Sequence, residues 1–368
     1  MLTLWHVPED GVVRNPYGQL LSRSLAAQGV RVVPVPHSHL FGLRALSARP
    51  DAIHFQFIDV FLLPAGPSPS RWRAMLKGPL FLLQVLLLRL AGCRIVWTVH
   101  NLATHERRLA GIERRFGLLF TRLAHEIVVH GESARNAVSR AYRLSPERIT
   151  VLFHPNYDGA YPDTLTRAEA RSRLAIDPAA LVVLSLGPIR GYKGLPAAVR
   201  AFRALPRQEG VQYWIAGDAR DARLAEDLQR EAAATPNVHV RPGHVPPEDV
   251  EVLVKASDVV ALPYRSILTS GAAVLAMTFR RPCIAPRLGC IPEVLEADVN
   301  FLYDPADPDG FRDALARAIA SSAALPEMGD ANRVRVAAWT WDRAAETLLA
   351  LYRGVTVPAN THTGPANA

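Results

Sequence analysis

The feature that most constrains this chain is a repeated alternation of short apolar runs with longer stretches of helical periodicity. In the first half, "LTLWHV", "VRVVPV", "AIHFQF", "RIVWTVH" and "EIVVHG" read as strands, and the segments between them read as helices. The second half repeats the scheme with "LVVLSLG", "VQYWIAG", "NVHVRPG", "VVALPY", "PCIAPRL" and "FLYDP", between which lie helices such as "DARLAEDLQREAAA" and "FRDALARAIASS". Apolar strands that alternate with helices pack as a parallel sheet with crossover helices. A chain of 368 residues exceeds one ordinary core, so the pattern predicts two doubly wound α/β domains. In open sheets of this kind ligands bind beyond the carboxyl ends of the strands. With two such domains the expected site is the cleft between them.

Punctuation residues place the boundaries. "FHPNYDGAYPDT" is rich in Pro, Asn, Asp and Gly and predicts a linker, which gives an N-terminal domain over 1–160 and a C-terminal domain over 161–338. "WTWDRAAETLLALYR" reads as one amphipathic helix, 339–354, anchored by Trp339 and Trp341, with Asp342 near its positive end. The polar, Pro/Gly-rich residues 355–368 read as a disordered tail.

Charge is uneven. Residues 1–150 hold 19 Lys/Arg against 9 Asp/Glu, while the remainder holds 23 against 25. A basic half attracts an anionic surface or substrate. Nucleic acid is not the expected partner, because no aromatic-interleaved basic motif accompanies the charge. The segment "GPLFLLQVLLLRLAG", Gly78 to Gly92, is unusually apolar, too short to span a bilayer, and broken by Gln84 and Arg89. Arg71, Arg73 and Lys77 precede it, and a basic amphipathic stretch, "HERRLAGIERRFGLLFTRLAHE", follows. Two readings stand: peripheral contact with an anionic membrane, or a crossover helix buried in the core. Cys93, Cys283 and Cys290 are scattered without metal-ligand or disulfide spacing, and "MLTLWHVPEDG" lacks a basic start followed by an apolar core. A cytoplasmic protein with no bound metal is expected.

The chemistry concentrates at predicted strand ends. In "LSLGPIRGYKG" a strand ends at Gly187, and Arg190 and Lys193 follow. A glycine turn admits a phosphate to the backbone, Arg190 can bind it bidentately, and Lys193 adds a point charge. In "PYRSILTSGAAVLAM" residues Thr269, Ser270 and Gly271 precede a helix, so capped helix amides offer a second anion site. In "HVRPGHVPPEDV", Gly243, His244 and Val245 follow another strand, where backbone groups can read a nucleotide base. Glu248 and Asp249 read as cap or solvent residues. In the first half, "VWTVHNLATHERR" brings His100, Asn101, His105 and Glu106 to a strand end. His100 and His105 lack metal-ligand spacing. "HFQFIDVFLLP" places Asp59 just past a strand, as a general base or as a helix cap. "RNPYGQL" places Asn15 and Tyr17 where a substrate or a simple turn would be.

These stretches together resemble a GT-B glycosyltransferase of the large group that includes the family 4 enzymes. "GPIRGYKG", "IAGD", "VRPGHVPPEDV", "RRPCIAPRLGCIPEV" and the terminal helix look like that group's landmarks. "TVHNLATHE", "LPYRSILTSGAAVLAM" and the Asn15-Pro16-Tyr17 triplet look closest to the xanthan-type β-mannosyltransferases, which are inverting enzymes. The resemblance implies two Rossmann-like domains, GDP-mannose as donor, a polyprenyl-diphosphate-linked glycan as acceptor, and no cofactor. Many retaining family 4 enzymes carry two glutamates, eight positions apart, around the donor sugar; here the matching positions hold Ile267 and Leu275. Neither can hydrogen-bond sugar hydroxyls as a carboxylate does. An inverting transfer is therefore expected, with a base drawn from Asp59, Glu106 or His100 and leaving-group charge held by Arg190, Lys193 and the Ser270–Gly271 helix start. Asn15, Tyr17, Asn101 and His105 fall on the acceptor side, and Gly187, Gly243, His244 and Val245 on the nucleotide side. Other classes stay open: a sugar-nucleotide 2-epimerase of the same fold, or a degenerate nucleotide-binding scaffold.

Overall fold

The computed structural model describes residues 1–7, 16–35, 41–62, 70–102, 109–206, 210–219, 221–355 and 357. By its internal contacts the chain divides into two compact units, 1–154 with 339–368, and 155–338. The predicted tail falls almost wholly outside the described residues.

The first unit holds β1 (Thr3–Val7), α1 (Tyr17–Ala27), β2 (Arg31–Pro34), α2 (Phe41–Ala48), β3 (Ala52–Phe55), α3 (Asp59–Leu62) and α4 (Arg71–Leu90). It continues with β4 (Arg94–Thr98), α5 (Ala110–Leu123), β5 (Glu126–Val129), α6 (Glu132–Tyr142) and β6 (Ile149–Val151). Its sheet runs β2-β1-β3-β4-β5-β6, all parallel. Chain order reverses between β1 and β3, the position at which doubly wound sheets open a crevice for ligands. Strand β6 has no counterpart among the predicted runs. Its three residues, Ile149, Thr150 and Val151, are too few for a pattern to show.

The second unit holds α7 (Arg167–Arg173), β7 (Leu181–Leu186), α8 (Leu195–Arg203), β8 (Val211–Gly217), α9 (Ala222–Ala233), β9 (Val238–Pro242), α10 (Pro247–Ala256) and β10 (Val259–Ala261). Then come α11 (Gly271–Thr278), β11 (Cys283–Pro286), α12 (Ile291–Val294), β12 (Phe301–Tyr303), α13 (Gly310–Ala320) and α14 (Leu325–Ala337). The sheet runs β12-β11-β10-β7-β8-β9, again all parallel, and reverses between β7 and β10. The expected linker residues join this unit. The Asn156 side chain donates to the Val336 carbonyl at 3.3 Å, the Tyr157 amide to Thr278 Oγ1 at 3.1 Å, and Arg333 pairs with Asp158 at 3.0 Å.

The last helix, α15 (Trp341–Tyr352), belongs to the first unit. Thr340 caps it by accepting from the Arg343 amide, Trp339 stacks on Phe153 at 5.1 Å, and Trp341 meets the Tyr17 edge at 5.0 Å. Asp342, in its first turn, accepts from the Ser24 hydroxyl of α1.

Helix α4 carries two apolar stripes. Ala74, Gly78, Phe81, Val85 and Leu88 recur every three or four residues and are buried against α2 and α5. The close fit is visible at Gly78, where an added Cβ would lie 2.3 Å from the Phe116 ring. Gln84 shares the inward face, accepting from the Gly42 amide at 2.9 Å, and Arg89 donates to the Leu123 carbonyl. The opposite stripe, Trp72, Met75, Leu76, Leu80, Leu83, Leu86, Leu87 and Leu90, is exposed. A helix buried all round is therefore not what forms. One face joins the core, the other does not.

Candidate functional site

In the second unit, the sheet brings together turns that chain order separates. β10 follows β7 by three strands in the chain yet pairs directly with it. The Gly187 turn and the Thr269–Ser270–Gly271 turn therefore leave adjacent strand ends at the switch point. Two close approaches weld them. Gly194, at φ +67°, sits where an added Cβ would lie 2.3 Å from the Pro263 carbonyl oxygen, and the Arg265 amide donates to the Tyr192 carbonyl at 2.7 Å.

Lys193 is buried and donates from Nζ to the Leu186 carbonyl at 3.1 Å. Burial, with Arg190 nearby, pushes its ammonium down to about 8. The Arg190 side chain is half-buried and has no hydrogen-bond acceptor among the described residues. Gly187, at φ +106°, lies against this cation: a Cβ there would stand 3.0 Å from Lys193 Nζ. Ser270 caps α11, its hydroxyl accepting from the Ala273 amide at 3.2 Å and lying 3.0 Å from Tyr264 Oη. This leaves the Gly271 and Ala272 amides at the helix start without intrahelical acceptors. Two cations and a helix N-terminus thus lie at neighbouring strand ends, the kind of chemistry that could hold a dianionic group.

Gly243 ends β9, two strands from β7, about 10 Å away at normal strand spacing. Its amide donates to the Gly217 carbonyl at 2.9 Å, and Gly217 in turn approaches Gly187 so closely that a Cβ would lie 2.0 Å from the Gly187 oxygen. Three glycines thus end three adjacent strands and leave the backbone bare. Gly217 was visible in "IAGD" only as a landmark; its role comes from pairing across the sheet. His244 is exposed and Val245 half-buried beyond Gly243, and Glu248 and Asp249 lie in the first turn of α10. Ile267 is half-buried and Leu275 buried, and the Cys290 amide donates to the Leu268 carbonyl at 2.9 Å.

In the first unit the carboxyl strand ends carry a cluster of imidazoles. His6 is on β1, His54 on β3, and His100, His130 and His154 follow β4, β5 and β6. Gln56 links three of them. Its Oε1 lies 2.8 Å from His100 Nε2, and its Nε2 lies 3.0 Å from His6 Nε2 and 3.4 Å from His54 Nε2. His54 further bonds Thr98 and Tyr352 Oη, each at 2.7 Å. Tyr17, at the start of α1, presents its ring to His100, His130 and His154 at 5.1, 5.6 and 5.2 Å. Burial drives His6 and His130 down to about 4, and drives His54 and His100 well below the usual histidine range. His130 Nδ1 bonds the Leu152 carbonyl at 2.8 Å, while its Nε2 is buried without a partner. Among the described residues no three His, Cys, Asp or Glu side chains converge to hold a metal ion.

Asp59 begins α3, and its carboxylate accepts from its own amide and that of Val60. Burial raises its pKa, and those two bonds oppose the rise. Asn101 is half-buried beside His100. Asn15, His105 and Glu106 lie outside the described residues.

Two doubly wound parallel sheets of six strands, each wrapped in helices, constitute a GT-B fold. A sucrose-phosphate synthase from Thermosynechococcus elongatus superimposes with a TM-score of 0.75 at 18% identity, over 96% of this chain and 99% of that one. Anabaena HepE, solved in complex with UDP-glucose, does so with a TM-score of 0.74 at 13% identity, over 95% and 100%. Residues 180–321 match the family described as glycosyl transferases group 1. The chain is similar to D-inositol 3-phosphate glycosyltransferases from Segniliparus rotundus (28% identical over 225 residues, 59% of this chain and 49% of that one) and Mycolicibacterium gilvum (28% over 234 residues, 62% and 52%). The chain spans about half the length of these curated relatives.

Proposed function

We propose that this protein transfers a hexose from a nucleotide sugar to a lipid-linked or glycan acceptor, with inversion, in exopolysaccharide or cell-surface glycan synthesis. The observation that carries this reading is the joined pair of turns in the second unit, with buried Lys193, available Arg190 and the capped start of α11. In the transfer, an acceptor hydroxyl oxygen bonds to the sugar's anomeric carbon as the carbon–oxygen bond to the diphosphate breaks. The leaving diphosphate keeps the electron pair, and its growing charge meets Lys193, Arg190 and the α11 amides. The hydroxyl proton passes to a base, Asp59 first and Glu106 as runner-up, with His100 orienting the substrate or serving as the base itself. Ile267 and Leu275 favour inversion, since neither offers the donor sugar a carboxylate. GDP-mannose is the proposed donor on motif resemblance. UDP-glucose is the second reading, because HepE was solved with it. Incubation with both donors and a membrane extract, followed by NMR of the product's anomeric configuration, tests the proposal. A retained configuration overturns inversion. Epimer formation without acceptor favours the epimerase, and nucleotide binding without turnover favours a scaffold.

The exposed stripe of α4 supports an acceptor held at a membrane. It runs the length of a 20-residue helix, about 30 Å, and the helices packed on α4 expose Leu43 of α2 and Leu119 of α5. Arg44, Arg71, Arg73, Arg114, Arg115 and Arg122 are exposed on the same three helices, whose one carboxylate, Glu113, is buried. Exposed apolar surface and exposed cations on the same helices suit peripheral docking on the anionic inner face of the cytoplasmic membrane. No described helix is long and apolar enough to cross a membrane. A soluble phosphorylated acceptor is the rival, favoured by the curated relatives' names. Transfer that is indifferent to added lipid would support it.

A further inference from the structure

We infer that Gln56 is a positioning residue that holds His100 in its Nε2–H tautomer, leaving Nδ1 as the lone-pair nitrogen offered to a substrate hydroxyl. The tautomer assignment rests on the orientation of the Gln56 amide; its catalytic consequence rests on the proposed glycosyl transfer.

The amide of Gln56 is buried and can satisfy its neighbours in few ways. Its nitrogen faces two imidazole nitrogens, His6 Nε2 and His54 Nε2, and an amide nitrogen can only donate. Its oxygen, 2.8 Å from His100 Nε2, can only accept. His100 Nε2 therefore carries the proton, and neutral His100 holds its lone pair on Nδ1. In the same orientation His6 accepts at Nε2, and its Nδ1, 3.1 Å from Ser22 Oγ, is left with the proton, which a serine hydroxyl can accept.

The ring is also held in place. Phe57 stacks on it at 4.9 Å with 23° between planes, and Tyr17 meets it edge-on at 5.1 Å with 88°. His130 packs at 5.1 Å. With Nε2 tied inward, Nδ1 has no protein partner among the described residues, and His100 is only half-buried. The residue follows β4 in a unit whose strand ends are where ligands of such folds bind. A nitrogen fixed in that way accepts a hydrogen bond from a hydroxyl and does not donate one. The second nitrogen of a working imidazole sets which one is basic, and here an amide oxygen does so without adding charge.

The ionisable neighbours of His100 among the described residues are His6 from β1, His54 from β3, His130 and His154 beyond β5 and β6, and Tyr17 from α1. None of these is a carboxylate, so nothing among them favours an imidazolium.

The direct test is the ¹⁵N spectrum of the wild-type full chain, His100 being assigned by comparison with His100→Gln. The expected result is a pyrrole-type Nε2 and a pyridine-type Nδ1. The reverse pattern, or an even mixture, overturns the assignment, and this readout needs no activity. The kinetic test uses Gln56→Glu and Gln56→Leu. Gln56→Glu places a carboxylate beside His100 Nε2 and should move the acid limb of the kcat profile to higher pH. Gln56→Leu should lower kcat about tenfold or more with KM little changed, since it removes orientation and leaves binding. If the spectrum is as expected but both variants keep the wild-type kcat profile, His100 is not the base and the mechanistic reading falls. If Gln56→Leu fails to fold, the wild-type spectrum still decides the tautomer.

Discussion

Replacing Leu83 and Leu87 together by Gln isolates the outward face of α4 from its inward one. Leu83 is 52% exposed and Leu87 40% exposed, so each has about half a side chain left to bury. Burying a whole leucine side chain contributes about 1.5–3 kcal/mol, which makes insertion of these halves worth about 1 kcal/mol apiece. The double variant should lose about 2 kcal/mol of membrane partitioning, or about thirtyfold in the partition coefficient. Folding should barely respond, because outward positions away from special features shift stability by about 0.5 kcal/mol or less. The assay is flotation with vesicles of phosphatidylglycerol and, in parallel, of phosphatidylcholine, beside a thermal melt of each variant. Each cation near an anionic surface adds about 1 kcal/mol, so the wild type should prefer the phosphatidylglycerol vesicles and should be released by salt. Equal flotation of the double variant and the wild type would refute the reasoning, as would equal binding to both lipids.

Donor affinity should weaken above about pH 8, because Lys193 loses its proton near there in the free protein and the diphosphate needs the charged form; nucleotide titrations from pH 7 to 9.5 check this, and a flat profile contradicts it. Lys193→Met should cost donor affinity at pH 7 and abolish that pH dependence while the melt stays close to wild type, since it removes a charge that burial already disfavours. Gly194→Ala should destabilise the second unit by about 1–3 kcal/mol, as a Cβ at φ +67° meets the Pro263 oxygen; urea unfolding gives the value, and a neutral effect would contradict the close approach. His6 and His130 sit near 4 when folded against about 6.5 unfolded, so between those values the unfolded chain binds more protons and stability falls as pH falls, by about 1.4 kcal/mol per pH unit for each. Urea unfolding at pH 4.5, 5.5 and 6.5 should show the loss, and equal stability across that range would contradict the neutral cluster.

Much of the second unit's candidate site was legible because its signals are local. A strand that ends in Gly187 and continues to Arg190 and Lys193 announces itself within eleven residues, as does a Thr-Ser-Gly turn before a helix. The sequence showed the two turns as separate strand-end signals, and only parallel pairing of β10 with β7 joins them. The histidine cluster was far less legible. His100 was singled out by its own strand end, but His6, His54 and Gln56 read as ordinary strand residues until three strands were laid side by side. β6 escaped for lack of length, and the greasy segment allowed two readings because a helix with two apolar stripes has no polar face to betray its orientation.

The sequence by itself determined the elements: which runs are strands, where helices cap, and which glycines break the pattern. Those follow from periodicity and backbone preference, which act over a few residues. The tertiary structure decided adjacency and burial. It made Lys193 a desolvated cation, set Gln56 between three imidazoles, and chose which stripe of α4 the core would take. These are properties of neighbours far apart in the chain. Desolvation and hydrogen-bond pairing depend on those neighbours, so no local pattern encodes them.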